Sequence, residues 1–109
     1  MSLGRPTTVR LQRIARAYRE SGALLAAVEL DLFSKINQGA NTEEKLSAAL
    51  GISSLNAERI TVACLGLGLI IRHENKLKNA IDVERFLTKE KSTYAGDWMF
   101  FTQPDWEKW

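Results

Sequence analysis

Few side chains in this sequence are of a type that performs chemistry, and their spacing assembles no reaction site. Cys64 and His73 are the only cysteine and the only histidine. An internal disulfide, a zinc module, a catalytic dyad and a catalytic triad are therefore all excluded. Cys64 stands on an apolar helical face and reads as a small buried residue, while His73, beside Glu74, reads as a surface histidine. Gly66-Leu67-Gly68 superficially suggests a phosphate cradle, but that motif needs a third glycine, a preceding strand and a following helix. Here a helix precedes and an extended run follows, so the pair reads as a helix end turning into the next element. Arg10, Arg13, Arg16 and Arg19, with Lys76 and Lys78, could contact phosphates. Steps of three residues, however, spread the four arginines around about half of a helix. No catalytic, cofactor-binding or metal-binding residue is predicted.

The elements that would carry these residues follow from periodicity. Leu11, Ile14, Ala15, Tyr18, Gly22 and Leu25 recur at three- and four-residue steps, the pattern of an amphipathic helix with arginines on its other face. Ser21-Gly22 predicts a break or bend, followed by a central helix from Ala23 to Phe33 that is apolar on most sides. Asn41 or Thr42 is suited to cap a short helix with Leu46, Ala49 and Leu50 inward; counted from Asn41, Glu44 stands where a capping box needs it. That helix stops at Gly51. After a tight turn Ser54 is expected to cap a second helix, with Ile60, Ala63, Cys64 and Leu67 on one face. Two helices joined this way form a helix-turn-helix. Leu69 to His73, Glu74-Asn75, and Lys76 to Asn79 then read as a hairpin, or wing. A brief helix from Ile81 to Leu87, with Ile81, Phe86 and Leu87 inward, leads into a polar connector. The predicted fold is mainly α: a winged helix-turn-helix domain with a small β-hairpin wing.

Composition bounds what this fold can be. At 109 residues the chain can hold one compact domain, with a core modest enough that a partner chain would help it. No run of 18 uncharged apolar residues spans a membrane and no signal peptide opens the chain, so a reducing cytoplasm is the expected location. The formal net charge is +2, and only the opening is markedly basic, with five arginines up to Arg19 against Glu20. That gives a weak global footprint for nucleic acid. The second helix of the motif offers Asn56, Glu58, Arg59 and Thr61 among apolar residues, which is poor material for base readout. A winged-helix DNA-binding transcriptional regulator is the alternative reading, resting on phosphate contacts alone. Composition shifts at Tyr94: Trp98, Trp106 and Trp109, with Phe100 and Phe101, all fall in the closing segment. Residues 1–93 are thus read as the domain and 94–109 as an aromatic linker helix that docks on something.

The run Ser21 to Phe33, then Thr42-Glu43-Glu44-Lys45-Leu46, Gly51-Ile52-Ser53 and Gly66-Leu67-Gly68-Leu69-Ile70 resembles the N-terminal winged-helix dimerisation domain of S-adenosylmethionine-dependent small-molecule O-methyltransferases. The likeness covers nearly the whole chain. Tyr94 to Trp98 and Asp105 to Trp109 look like the helix that leads, in that family, into a catalytic domain. The resemblance implies a dimerisation and substrate-pocket-closing domain, present as a fragment. The cofactor loop, acidic ribose ligand and catalytic histidine of the family belong to the absent catalytic domain. No cofactor is therefore expected in this chain and no methylation by it alone; S-adenosylmethionine and a small-molecule methyl acceptor would belong to the parent. A homodimer is implied, with Leu11, Ile14, Tyr18, Leu25, Val28 and Leu32 as interface candidates. Trp98, Met99 and Phe101 are candidates for a pocket or interdomain wall.

Overall fold

The computed structural model describes residues 5–97. Among them the order of elements is α1 (Val9–Glu29), α2 (Leu32–Asn37), α3 (Glu43–Leu50), α4 (Ser54–Gly66), β1 (Ile70–His73), β2 (Lys76–Asn79) and α5 (Ile81–Phe86). α3 and α4 form the helix-turn-helix, and β1 and β2 form an antiparallel wing. The mainly helical winged-helix architecture expected from the sequence is the one observed. Trp98, Met99 and Phe101 lie outside the described residues.

α1 runs unbroken through Ser21-Gly22, where a break was expected. An interior glycine costs a helix about 1 kcal/mol, but Ala23, Leu24, Leu25, Ala26 and Ala27 follow it and are strong helix formers. The chain turns instead at Leu30-Asp31. There the Leu30 and Asp31 amides donate to the Ala26 and Val28 carbonyls, and Asp31 adopts a left-handed φ of 62°. The expected central helix is therefore two pieces at an angle, and the second, α2, buries Leu32, Phe33, Ser34 and Ile36.

Local chemistry fixes the helix ends. The Thr42 hydroxyl accepts the Lys45 amide at 3.2 Å. Its third position is thus a lysine, and the box with Glu44 does not form. Ser53, rather than Ser54, caps α4 by accepting the Asn56 amide at 3.1 Å. Gly51 (φ 66°) and Gly68 (φ 72°) close α3 and α4 in the left-handed conformation. In each case the following amide reaches back to the last turn, Ile52 to Ser47 and Leu69 to Cys64. Glu74 and Asn75 both take positive φ, as a two-residue hairpin turn requires, and set the register Ile70↔Asn79 through His73↔Lys76. The outer edge of β2 is also used, since Leu77 donates to the Asn41 carbonyl at 2.8 Å.

The core consists of Leu32, Phe33, Leu46, Cys64, Ile70, Leu77, Val83 and Leu87 together with Ala27, Val28 and Ile36. Each large side chain here contributes roughly 1.5–3 kcal/mol by leaving water. Several inward assignments are corrected. Ile81 is 90% exposed and Phe86 is exposed; a helix of six residues presents one narrow face, and Val83 with Leu87 occupies it. Ala49 and Leu67 are likewise outward, while Ala57 and Thr61 join Cys64 on the buried side of α4.

Asn79 locks the wing to the core. Its amide nitrogen donates to the Phe33 carbonyl at 2.8 Å and to Glu84 Oε2 at 2.9 Å, in a residue that is buried. Asn79→Leu leaves both acceptors short of a donor and is expected to cost about 1–3 kcal/mol, read as a lower urea midpoint.

Candidate functional site

The core leaves the first two-thirds of α1 without cover. Residues 9–22 are exposed throughout, and Leu11, Ile14 and Tyr18 are 60%, 60% and 62% exposed. This stretch is about 20 Å of helix. The radius of gyration reaches 16.4 Å, against about 13 Å for a compact chain of 100 residues. A projecting helix of this length is marginal in water by itself, and its apolar stripe continues into a buried one further along the same helix. Of the six interface candidates, Leu11, Ile14 and Tyr18 are presented outward and Leu25 is half-buried. Val28 and Leu32 belong to the protomer's own core. Arg10, Arg13, Arg16 and Arg19 are all exposed.

A second structured surface lies where the chain leaves α5. The sequence suggested only a polar connector, but residues 88–91 are fastened to α2. Lys89 Nζ pairs with Asp31 at 2.7 Å, the Lys89 amide donates to Ser34 Oγ at 2.8 Å, and Gln38 donates to Glu90 at 2.7 Å. The bond to Asp31 raises the Lys89 ammonium above its ordinary value, and the Glu90 carboxyl is held low first by its own backbone amide and then by Gln38. Buried Thr88 donates to the Glu84 carbonyl, and the Ala95 amide donates to the Phe86 carbonyl at 2.7 Å. The Tyr94 ring lies over Gly96, where a Cβ would run into its hydroxyl. Nothing in the composition of Thr88 to Lys91 announces this strap. Its one signal is charge reciprocity with Asp31, which is visible only once the fold brings them together.

The helix-turn-helix presents the wrong chemistry for DNA. α4 exposes Leu55 and Val62 at 54% and 62%, and a cavity of about 350 Å³ beside it is lined by Glu43, Glu44, Ser54 and Glu58. Arg72 of the wing bonds Glu43 and is not free for phosphate. The DNA-binding alternative is not supported. A mostly apolar groove of about 380 Å³ runs on the other side, between α1 and α4, lined by Ala23, Leu30, Ile52, Asn56, Ile60 and Ala63, with Arg59 as its one charged residue. The Gly66–Gly68 turn lines neither space; it closes α4, with the Leu69 amide bonded back to the Cys64 carbonyl. Among the described residues, no group of His, Cys, Asp and Glu is arranged to hold a metal, and no helix is long and apolar enough to cross a membrane. Cys64 is buried, which pushes its thiol up to about 11.

An O-methyltransferase family protein from Burkholderia thailandensis superposes with a TM-score of 0.82 at 26% identity, over 97% of this chain and 32% of that one. A candidate O-methyltransferase from Nostoc punctiforme gives 0.81 at 25% identity, over 92% and 31%. Its structural neighbours are S-adenosylmethionine-dependent O-methyltransferases. Human N-acetylserotonin methyltransferase, solved with S-adenosylmethionine, shares the fold at a TM-score of 0.76 and 20% identity, over 93% and 31%. The chain thus spans about a third of the length of these O-methyltransferases. No protein-family model and no curated protein sequence matches it.

Two outcomes follow from these side chains. The Arg72 guanidinium holds the Glu43 carboxyl below its ordinary value of 4.5. The stabilisation is therefore complete above that pH and fades as pH falls through the lower folded value. Side-chain exposures of 42% and 30% limit the pair to below about 1 kcal/mol. Glu43→Gln is expected to destabilise the chain at pH 7 by up to that amount, read as a lower urea midpoint, and to match the parent once the pH is below the folded value of the carboxyl. Cys64, protonated and enclosed, is expected to react with a thiol reagent at neutral pH only at the rate of unfolding; a fast native reaction would contradict its placement.

Proposed function

We propose that this chain is the dimerisation and substrate-pocket-closing domain of an S-adenosylmethionine-dependent O-methyltransferase, acting with a catalytic domain that lies outside the sequence. The observation that carries the reading is the alignment of almost the whole chain with about a third of O-methyltransferases at 25–26% identity. When bound in the parent, S-adenosylmethionine would supply the electrophilic methyl group. A hydroxylated small molecule would accept it in the cytoplasm. The residues here would pair two protomers and shape the cleft.

Leu11, Ile14 and Tyr18 are the proposed pairing surface. Burying such side chains contributes roughly 1.5–3 kcal/mol each, which compensates for the small core of a single protomer. Trp98, Met99 and Phe101 are the proposed wall facing the acceptor or the catalytic domain. The strap at residues 88–91 supports that role, because it ties the start of the aromatic segment to α2 and α5.

Sedimentation equilibrium at tens of micromolar tests the pairing: the chain is expected as a dimer, and Leu11→Asp with Tyr18→Asp is expected to weaken it at least tenfold with unchanged helical circular dichroism. In the source genome, the reading frame past codon 109 or an adjacent gene is expected to encode a strand followed by a glycine-rich loop. A natural stop with no such neighbour would remove the catalytic partner from the proposal.

A further inference from the structure

Among the described residues, three side-chain oxygens are buried without a hydrogen-bond partner: Asn41 Oδ1, Thr61 Oγ1 and Asn79 Oδ1. Of these residues only Asn79, 4% exposed, also lines a cavity. That cavity, of about 360 Å³, lies where α2, β2 and α5 meet; Ile36, Asn37, Leu77, Lys78, Ile81 and Glu84 complete its walls, and none of them comes from α1. Its fixed polar groups are acceptors. Asn79 spends its amide nitrogen on the Phe33 carbonyl and on Glu84 Oε2, so what remains of the amide is an oxygen that can only accept. The same bond holds the Glu84 carboxylate at the wall, and Lys91 approaches its other oxygen only to 4.0 Å, the limit of an ion pair. Ile36, Leu77 and Ile81 supply the apolar part, and Ile81, 90% exposed, has no cover within the protomer.

We propose that this cavity binds a small molecule carrying a protonated amine on an apolar body. An ammonium group donates in three directions and accepts in none, which complements an orphaned amide oxygen beside a carboxylate. Leaving a buried acceptor unpaired is costly, and a ligand N–H relieves that cost on binding. Its contact with Glu84 is charge-assisted as well. The body of the ligand then covers Ile36, Leu77 and Ile81, where apolar burial adds to the affinity. Lys78 is the one cation on the wall; its side chain is exposed on a flexible stem and can turn to solvent, whereas Asn79 and Glu84 are held to each other. The volume is at the low end of small-molecule sites, about 300–1,000 Å³, and suits a single ring or a short branched chain. Since no wall comes from α1, the site depends neither on pairing of two copies nor on a catalytic domain.

An amide-resolved NMR titration of the chain at neutral pH tests the proposal with three probes of similar shape: phenethylamine, the neutral phenethyl alcohol, and the anion phenylpropionate. Phenethylamine is expected to saturate by tens of millimolar and to shift the Asn79 side-chain amide together with Leu77 and Ile81. The alcohol and the anion are expected to bind about fivefold more weakly or worse. Glu84→Gln keeps an acceptor for Asn79 but removes the charge, and is expected to weaken phenethylamine about fivefold while changing the alcohol little. Ile81→Ala, at a position too exposed to support the core, is expected to weaken both with parent-like circular dichroism. Equal binding of all three probes, or tightest binding of phenylpropionate, overturns the amine as the recognised group. Phenethylamine binding that is indifferent to Glu84→Gln overturns it too. Shifts confined to residues outside this cavity, or no saturation by any probe, overturn the site itself.

Discussion

Helix α2 has six residues, four of them buried, and it packs against α1, α3, β2 and α5. That burial follows a change of direction at Leu30-Asp31, just after α1 has entered the core with Ala27 and Val28. The left-handed turn at Asp31 directs Leu32, Phe33 and Ile36 inward, and Asp31 is of a type that tolerates this conformation at modest cost. With Phe33 in place its carbonyl receives Asn79, which fixes the wing, and Ser34 receives the Lys89 amide, which fixes the exit of the chain. The wing, the strap and the short helix α5 therefore all take their positions from one turn.

That turn is where the sequence was least legible. Ala23 to Phe33 is continuously apolar, with no glycine or proline to mark an end, so periodicity alone extends the helix through Asp31. Ser21-Gly22 carries the stronger local break signal, yet strong helix formers follow it and the helix continues. Tertiary packing decided both positions. Elsewhere the local code was sufficient: Gly51 ends a helix, Glu74-Asn75 turns a hairpin, and a threonine and a serine cap α3 and α4, the second one residue earlier than expected. The candidate surface was half legible. The stripe of Leu11, Ile14 and Tyr18 followed from spacing, but spacing cannot say where along a helix the protomer's own core ends, so Val28 and Leu32 were included. The face that spacing gives α4 is Ile60, Ala63, Cys64 and Leu67, and Leu55 and Val62 stand outside it.

The same helix-turn-helix geometry serves nucleic acid or protein according to what its second helix exposes. Binding to DNA draws its affinity from counterion release, which requires several unopposed cations near the groove. Here Arg72 of the wing is bonded to Glu43, Arg59 of α4 lies along the groove toward α1, and Glu44 and Glu58 add negative charge beside α4. Two exposed branched aliphatic side chains on that face gain nothing from phosphate. They gain roughly 25 cal/mol per Å² from apolar contact. The surface chemistry of this face thus favours apolar contact over phosphate.

The strap adds a mechanical consequence to that selection. A connector of polar residues would ordinarily be a hinge, leaving whatever follows free to reorient. In this protomer Asp31, Ser34 and Gln38, spaced along the end of α1 and one face of α2, each hold a residue between Lys89 and Glu90. These bonds are individually weak at a surface, yet they act on two adjacent residues flanked by buried Thr88 and by the Ala95 to Phe86 bond. The direction in which the chain leaves α5 is therefore coupled to α2, and α2 is continuous through Asp31 with the helix that projects Leu11, Ile14 and Tyr18. The start of the aromatic segment at Tyr94 is thereby tied to α2 and α5, the elements on which the end of α1 packs or turns. That relation is what a domain needs if pairing at one end is to set the shape of a cleft at the other.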